Sequence, residues 1–219
     1  MNKRILIFGA NGRTGQLIVK YALEKGYSIT ALVRNPEKLT ITSERLTIHK
    51  GSPTHLEDVQ KAMAGCNYVL SALSALSVKD SFSFKMITPP KTLEKSIGNA
   101  IQAMNEYGIR RIVTLSSVGA GDSYSYAPWF MRWVIRLTNF KIVFADHNQQ
   151  EQLVQQSGLD WVIARPVGLT NTTNPGKLVV SYNKTPSPFK ISRMLLAKFM
   201  VDQLTEDAFL HKTPILSES

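Results

Sequence analysis

The feature that most restricts this chain is an apolar run that ends directly in evenly spaced glycines. Residues 4–15 read RILIFGANGRTG and pass straight into a helix-compatible segment, QLIVKYALEK. The run RILIF has no polar alternation after its first residue, so it fits a strand covered on both faces. Gly9 then permits a tight turn, Gly12 lets a bound group approach the backbone, and Gly15 lets helix and strand pack closely. A helix starting at this point leaves its first amides without intrahelical partners, and such amides attract anions. Strand, glycine loop and helix together predict a phosphate-binding turn. Asn11, Arg13 and Thr14, between the glycines, are assigned to the same cofactor-binding turn.

The alternation continues down the chain. SITALV, RLTIHK, YVLSAL, RIVTLSS and DWVIARP are further strand-like runs. Helical patterns cover 13–25, closed by Gly26, and 56–63, ending at Gly65. The segment TPPKTLEKSIGNAIQAMNEYG puts Leu93, Ile97, Ile101 and Met104 on one helical face. There Thr88 is the expected cap, the prolines open the helix and Gly108 closes it. A further helix is expected over 146–156, before Ser157-Gly158. Some six β-α units with continuously apolar strands predict an α/β fold: a doubly wound parallel sheet of the dinucleotide-binding (Rossmann) kind, helices on both faces. Nothing in 1–219 reads as a linker or repeat, so one domain is expected, with a short C-terminal segment on the substrate side.

Composition narrows the function classes. A 43% hydrophobic and 19% charged chain suits a globular protein. The net charge of +10 admits nucleic acid, anionic lipid or a phosphorylated ligand as partner. Yet the basic residues are scattered, Lys3-Arg4 and Arg110-Arg111 being the only adjacent pairs. No helix-turn-helix, zinc-finger or RNA-binding signature accompanies them, so no nucleic-acid partner is expected. The N-terminal apolar run is too short for a secretion signal, and no stretch approaches the length of a membrane span. The one cysteine, Cys66, precedes the apolar YVL and is expected as a small buried thiol. A cytoplasmic location is the expectation that follows.

The end of the second strand, ALVRNPEK, bears on which dinucleotide would bind. A free ribose 2′-hydroxyl is usually held there by Asp or Glu. This chain has Arg34, with Lys38 four residues on and Arg13 in the glycine loop. Guanidinium suits a 2′-phosphate through paired charge-assisted contacts, which predicts NADP(H) rather than NAD(H).

GANGRTG, LVRNPEKL, LSSVGAG, DHNQQEQLVQQSGLDWVIARPVGLTN and ISRMLLAKFMVDQL together resemble the atypical short-chain dehydrogenase/reductase superfamily. The likeness is to its NmrA-like NAD(P)H-binding group, which includes flavin reductases of the biliverdin reductase B type. The resemblance implies further cofactor positions. Arg34 and Lys38 match the pair that holds the 2′-phosphate. Ser52 stands where the family usually has an Asp near the adenine. Leu73 and Ser74 match residues under the adenosine ribose and pyrophosphate. Ser117, with Ser116 beside it, matches a serine near the nicotinamide, and Pro166 and Val167 match the loop flanking that ring. His147 aligns with a histidine of the related reductase.

Carbonyl-reducing short-chain dehydrogenases use a Tyr-x-x-x-Lys pair as proton donor and its pKa-lowering partner. The one match, Tyr21–Lys25, falls on the first helix, the wrong element for that task. After LSS, Tyr124 and Tyr126 are followed four residues later by Pro128 and Phe130. Hydride transfer to a planar acceptor such as a flavin, quinone or tetrapyrrole needs no such pair, because orientation does most of the protein's work. Ser117 and His147 are therefore the expected catalytic residues, with His147 alternatively a plain polar residue opening a helix. His49, His55, His211 and Cys66 show no metal-ligand spacing, so no metal site is expected. The other functional reading is a non-catalytic NmrA-type redox sensor that binds the dinucleotide and signals to a partner. The segment SYSYAPWFMRWVIRLTNF puts Trp129, Phe130, Trp133, Val134 and Leu137 on one helical face and Arg132 and Arg136 on another. It fits a core helix, the wall of an acceptor pocket, or a basic amphipathic surface.

Overall fold

Strand β1 (Arg4–Phe8) sends Ile5 and Ile7 into one face of the sheet and Leu6 and Phe8 into the other. All four are completely buried, so the strand must lie at the centre of a three-layer molecule. The computed structural model describes residues 3–219 except 77, 82 and 84–86, with only the backbone of 78 and 79. After β1 come α1 (Arg13–Glu24), β2 (Ser28–Val33), β3 (Leu46–Lys50), α2 (Leu56–Met63), β4 (Tyr68–Ser71) and α3 (Val78–Ser81). Then follow α4 (Thr92–Tyr107), β5 (Arg111–Leu115), α5 (Trp129–Leu137), α6 (Phe140–Gln156) and β6 (Asp160–Pro166). The remaining elements are β7 (Leu169–Thr170), β8 (Leu178–Ser181), β9 (Ile191–Ser192), α7 (Arg193–Asp202) and β10 (Ile215–Glu218).

The main sheet runs β3-β2-β1-β4-β5-β6-β10-β8, parallel throughout except for the β10–β8 pair. The order reverses between β1 and β4, which opens a crevice at the carboxyl ends of those two strands. Helices α1 and α7 cover one face through Ile18, Val19, Leu196 and Met200. The other face is covered by α2, α4 and α6 through Val59, Met63, Ile97, Met104 and Val154. This is the doubly wound Rossmann architecture expected from the strand–helix alternation. Cys66 is buried, its Sγ on the Ala62 carbonyl at 3.5 Å, and burial pushes its thiol pKa up.

Two local expectations differ from the structure. Thr88 does not cap α4, which begins at Thr92, and Pro89 and Pro90 lie in the loop before it. The cap comes from α6: Asp146 accepts from the amides of Leu93 and Glu94, each at 2.9 Å. A buried carboxylate at that helix start answers both the unpaired amides and the macrodipole. Helix α6 itself starts at Phe140, six residues ahead of the expected boundary, because Thr138 ends α5 by turning its hydroxyl onto the Val134 carbonyl (2.7 Å). The C-terminal region supplies two strands of the main sheet that the chain's pattern did not announce. β10 pairs with β6 on one side and β8 on the other.

Candidate functional site

The crevice at the strand reversal is built around the glycine loop. Gly9 has φ +77, and a Cβ there would meet the Ala72 carbonyl at 2.6 Å, so the loops after β1 and β4 touch backbone to backbone. A Cβ on Gly15 would sit 1.9 Å from the Gly9 carbonyl oxygen. The Gly12 amide bonds the Gly9 carbonyl at 3.0 Å, and the first helical bond runs from Gln16 to Gly12 at 2.9 Å. The amides of Arg13, Thr14 and Gly15 therefore point out of the α1 start, with no side-chain cap and no acidic residue in the first turn. Such a cradle fits a diphosphate.

Two cavities extend from this loop and share Leu73 and Ser74. The first, about 290 Å³, is lined by Gly9, Asn11, Arg34 and Ser52. Thr92 and Lys95 of α4 close its far side. Asn11 fixes the turn after β2 by donating to the Asn35 carbonyl at 3.0 Å, which leaves Arg34 exposed at the rim. The Ser52 hydroxyl pairs with that of Thr54 at 2.8 Å, and its amide bonds Asp58 at 2.9 Å. Lys38 stands exposed on the 3-10 turn Pro36–Lys38, outside the residues that line this cavity. A cavity of mixed lining edged by Arg34 and Lys95 has room and positive charge for a phosphorylated nucleoside.

The second cavity, about 430 Å³, brings together Gly12, Arg13, Thr14, Ser116, Ser117, His147, Pro166 and Val167. Its remaining wall is largely apolar: Leu76, Leu115, Met131, Phe140, Val143, Phe144 and Leu169. The two serines expected together have different surroundings. Ser116 is buried and donates its hydroxyl to Glu151 at 2.6 Å. That carboxylate is also held by Arg165 through Nε at 3.0 Å and a second nitrogen at 2.6 Å, and Arg165 reaches on to Asp122 at 2.6 Å. Ser116 thus ties the end of β5 to α6. Ser117 is only half-buried, its hydroxyl on the neighbouring Val118 carbonyl at 3.2 Å.

His147 neither opens a helix nor lies exposed. It sits on the third turn of α6, 6% exposed, edge-on to the Phe144 ring at 6.3 Å. Among the described residues its Nδ1 has no hydrogen-bond partner. Burial lowers its pKa from the ordinary histidine value, against the opposing pull of Glu151 and Asp146, so the ring is neutral at pH 7. Tyr21 and Lys25 are elsewhere: both meet Asp202 of α7, at 3.2 Å and 3.3 Å, away from the residues of either cavity.

Several residues that line the second cavity are not among the expected site residues, Met131 and Arg193 among them. Met131 comes from α5, whose inward contacts are Met131 and the buried Ile135. Arg193, at the first turn of α7, is 9% exposed, bonds the Asn171 side chain at 2.6 Å and the Leu169 carbonyl at 3.3 Å, and has its pKa lowered by burial and by Arg13. Ser192 caps α7 by accepting from the Leu195 amide at 3.0 Å. That S-R pair before an apolar helix was the available signal, but only the strand β9 fixes which way Arg193 faces.

Comparison with known proteins agrees with this architecture. The chain is 26% identical over 211 residues to a chloroplastic protein of Arabidopsis thaliana, covering 94% of this chain and 73% of that one. A shorter match, 33% over 129 residues, is to a cinnamoyl-CoA reductase of Medicago truncatula and spans 54% of this chain and 36% of that protein. Two solved structures share the fold from end to end. One is the anaerobillin reductase ChuY of Escherichia coli O157:H7, with TM-score 0.79, 20% identity, and coverage of 99% and 97%. The other is a short-chain dehydrogenase/reductase of Veillonella parvula in complex with NADP, with TM-score 0.76, 19% identity, and coverage of 100% and 95%. The NAD(P)H-binding family model matches residues 9–207, from the first glycine of the loop to beyond α7, and the chain belongs to that family.

Proposed function

We propose that this chain is an NADPH-dependent reductase that passes hydride to a planar acceptor: a flavin, a quinone or a tetrapyrrole. The observation that carries this reading is the largely apolar cavity beyond the glycine loop, lined by Ser117 and by a buried, neutral His147 whose Nδ1 has no partner among the described residues. An acceptor ring can stack there with little water present. Bound NADPH supplies the hydride, and the reduced acceptor takes its proton from solvent or from a side chain. The loop Gly9, Asn11, Gly12, Arg13, Thr14 and Gly15 holds the diphosphate on outward-pointing amides. Arg34, with Lys38 swinging in from the adjoining turn, holds the 2′-phosphate, while Ser52, Leu73 and Ser74 seat the adenosine. Pro166 and Val167 flank the nicotinamide, and Ser116 fixes the β5 end that aims Ser117. Ser117 bonds the carboxamide or the acceptor. His147 orients the acceptor or, as a neutral ring, relays a solvent proton to it, gaining one at one nitrogen as it gives one up at the other. The anaerobillin reductase and the NADP complex among the structural neighbours support the same choice of cofactor and acceptor class. The sole, buried thiol of Cys66 suits a reducing compartment such as the cytoplasm.

Anaerobic titration with NADPH and NADH, then stopped-flow mixing with FMN, quinones and biliverdin, tests the reading. Tighter binding of NADPH, with acceptor-dependent oxidation that falls roughly ten- to a hundredfold in Ser117→Ala, is the expected result. Tight binding without turnover on any acceptor would sink it in favour of a redox sensor. Preference for NADH would overturn the role given to Arg34.

A further inference from the structure

Helix α5 carries the most unusual surface of the molecule. Trp129 is 70% exposed, Trp133 61%, Leu137 57% and Phe130 48%. These are four of the eight large hydrophobic side chains exposed among the described residues, on a helix of nine. Tyr124, just before the helix, joins Trp129 and Trp133 around a shallow groove whose other sides are Arg132 and Arg136. Neither arginine has an ion-pair partner among the described residues. From residue 123 to 145 there is no Asp or Glu, while Arg132, Arg136 and Lys141 add three positive charges. A core function for these aromatics is ruled out by their exposure, and the cavity uses only the opposite, Met131 side of the helix.

We propose that α5 docks this protein onto the surface of an anionic lipid bilayer. Indole rings favour the headgroup layer, where an apolar body and a polar N–H are both accommodated. Arg132 and Arg136 would meet lipid phosphates, and the +10 net charge adds a longer-range pull. A second copy of this chain is a poorer occupant. Nine residues span only about 14 Å, a small patch against the roughly 800 Å² per partner of a stable interface. A two-fold pairing would also crowd four arginines with no acidic residue on the helix to neutralise them. The inference does not depend on the redox reading.

The test is co-sedimentation of the full chain with phosphatidylcholine vesicles, with and without phosphatidylglycerol, with tryptophan emission as a second readout. Binding is expected only with phosphatidylglycerol present, weakening with salt and shifting the emission to the blue. Trp129→Ser/Trp133→Ser should weaken binding about tenfold or more, and Arg132→Gln and Arg136→Gln about fivefold each. An unchanged thermal melt and NADPH titration in these variants would show that the fold is intact. The inference fails if wild-type chain ignores anionic vesicles at low salt, or if the tryptophan variant binds them as well as wild type. It fails equally if light scattering finds a dimer that the tryptophan variant abolishes while vesicles are not bound.

Discussion

His147 is held neutral by its surroundings, and that has a cost in stability that can be measured. Its folded-state pKa is depressed by burial, whereas in the unfolded chain it titrates near the ordinary value of 6.5. Below that pH the unfolded chain takes up a proton that the folded chain refuses, so unfolding becomes easier as pH falls and this contribution is flat above it. Urea unfolding between about pH 5 and pH 8 should show a slope in the wild type that is reduced in His147→Gln. An identical slope in both would mean that the ring protonates freely and is not walled in as described. At this scale the chain was readable where function is local. The close contacts of Gly9, Gly12 and Gly15 are legible because the turn that needs them is contiguous in sequence. The sequence marks His147 but not its burial, since Phe144 and the Asp146 cap come into play only once α6 is packed. The helix of Met131 is legible as a candidate pocket wall, but not that Met131 rather than the aromatic face would line it; Arg193 is not legible as a cavity residue, because its place depends on elements more than a hundred residues from the glycine loop.

Element boundaries failed where a helix end is satisfied from outside its own segment. The prolines and Thr88 ahead of α4 carry a legitimate start signal, yet Lys91 takes a left-handed backbone (φ +50) and the free amides turn to Asp146, 53 residues away from Leu93. One carboxylate therefore caps α4 and pins the rotation of α6, and the next residue along α6 is His147. Asp146→Ala should cost about 1–2 kcal/mol, read as a lower urea midpoint. Asp146→Asn, which keeps one acceptor, should lose less. If α6 turns when its anchor is lost, acceptor turnover falls further than stability does. Equal stability of wild type and Asp146→Ala would remove the cap from the account.

Across the whole molecule, Ile215–Glu218 supply an interior strand of the sheet, and they reach the site. β10 lies between β6 and β8, with Leu216 fully buried and Ile215 nearly so. Its Leu216 carbonyl accepts from the Val167 amide at 3.1 Å, and the buried Glu218 accepts from the Ser192 amide at 2.9 Å. The first contact braces the loop that flanks the expected nicotinamide position; the second braces the start of α7 beside Arg193. ILSE is too short to show a period, and its partners are set by pairing across dozens of residues, so neither its place in the sheet nor its reach to the cavity could be read locally. Leu216→Ala tests that role. Removing a fully buried leucine side chain should cost about 2–5 kcal/mol. Because Leu216 backs Pro166 in register, NADPH affinity should weaken as well, under conditions where the variant is still folded. Urea unfolding followed by NADPH titration separates the two effects. A variant as stable as the wild type would show that β10 is not packed as described. A large loss of stability with undiminished affinity would mean that the sheet needs this strand but the cofactor loop does not.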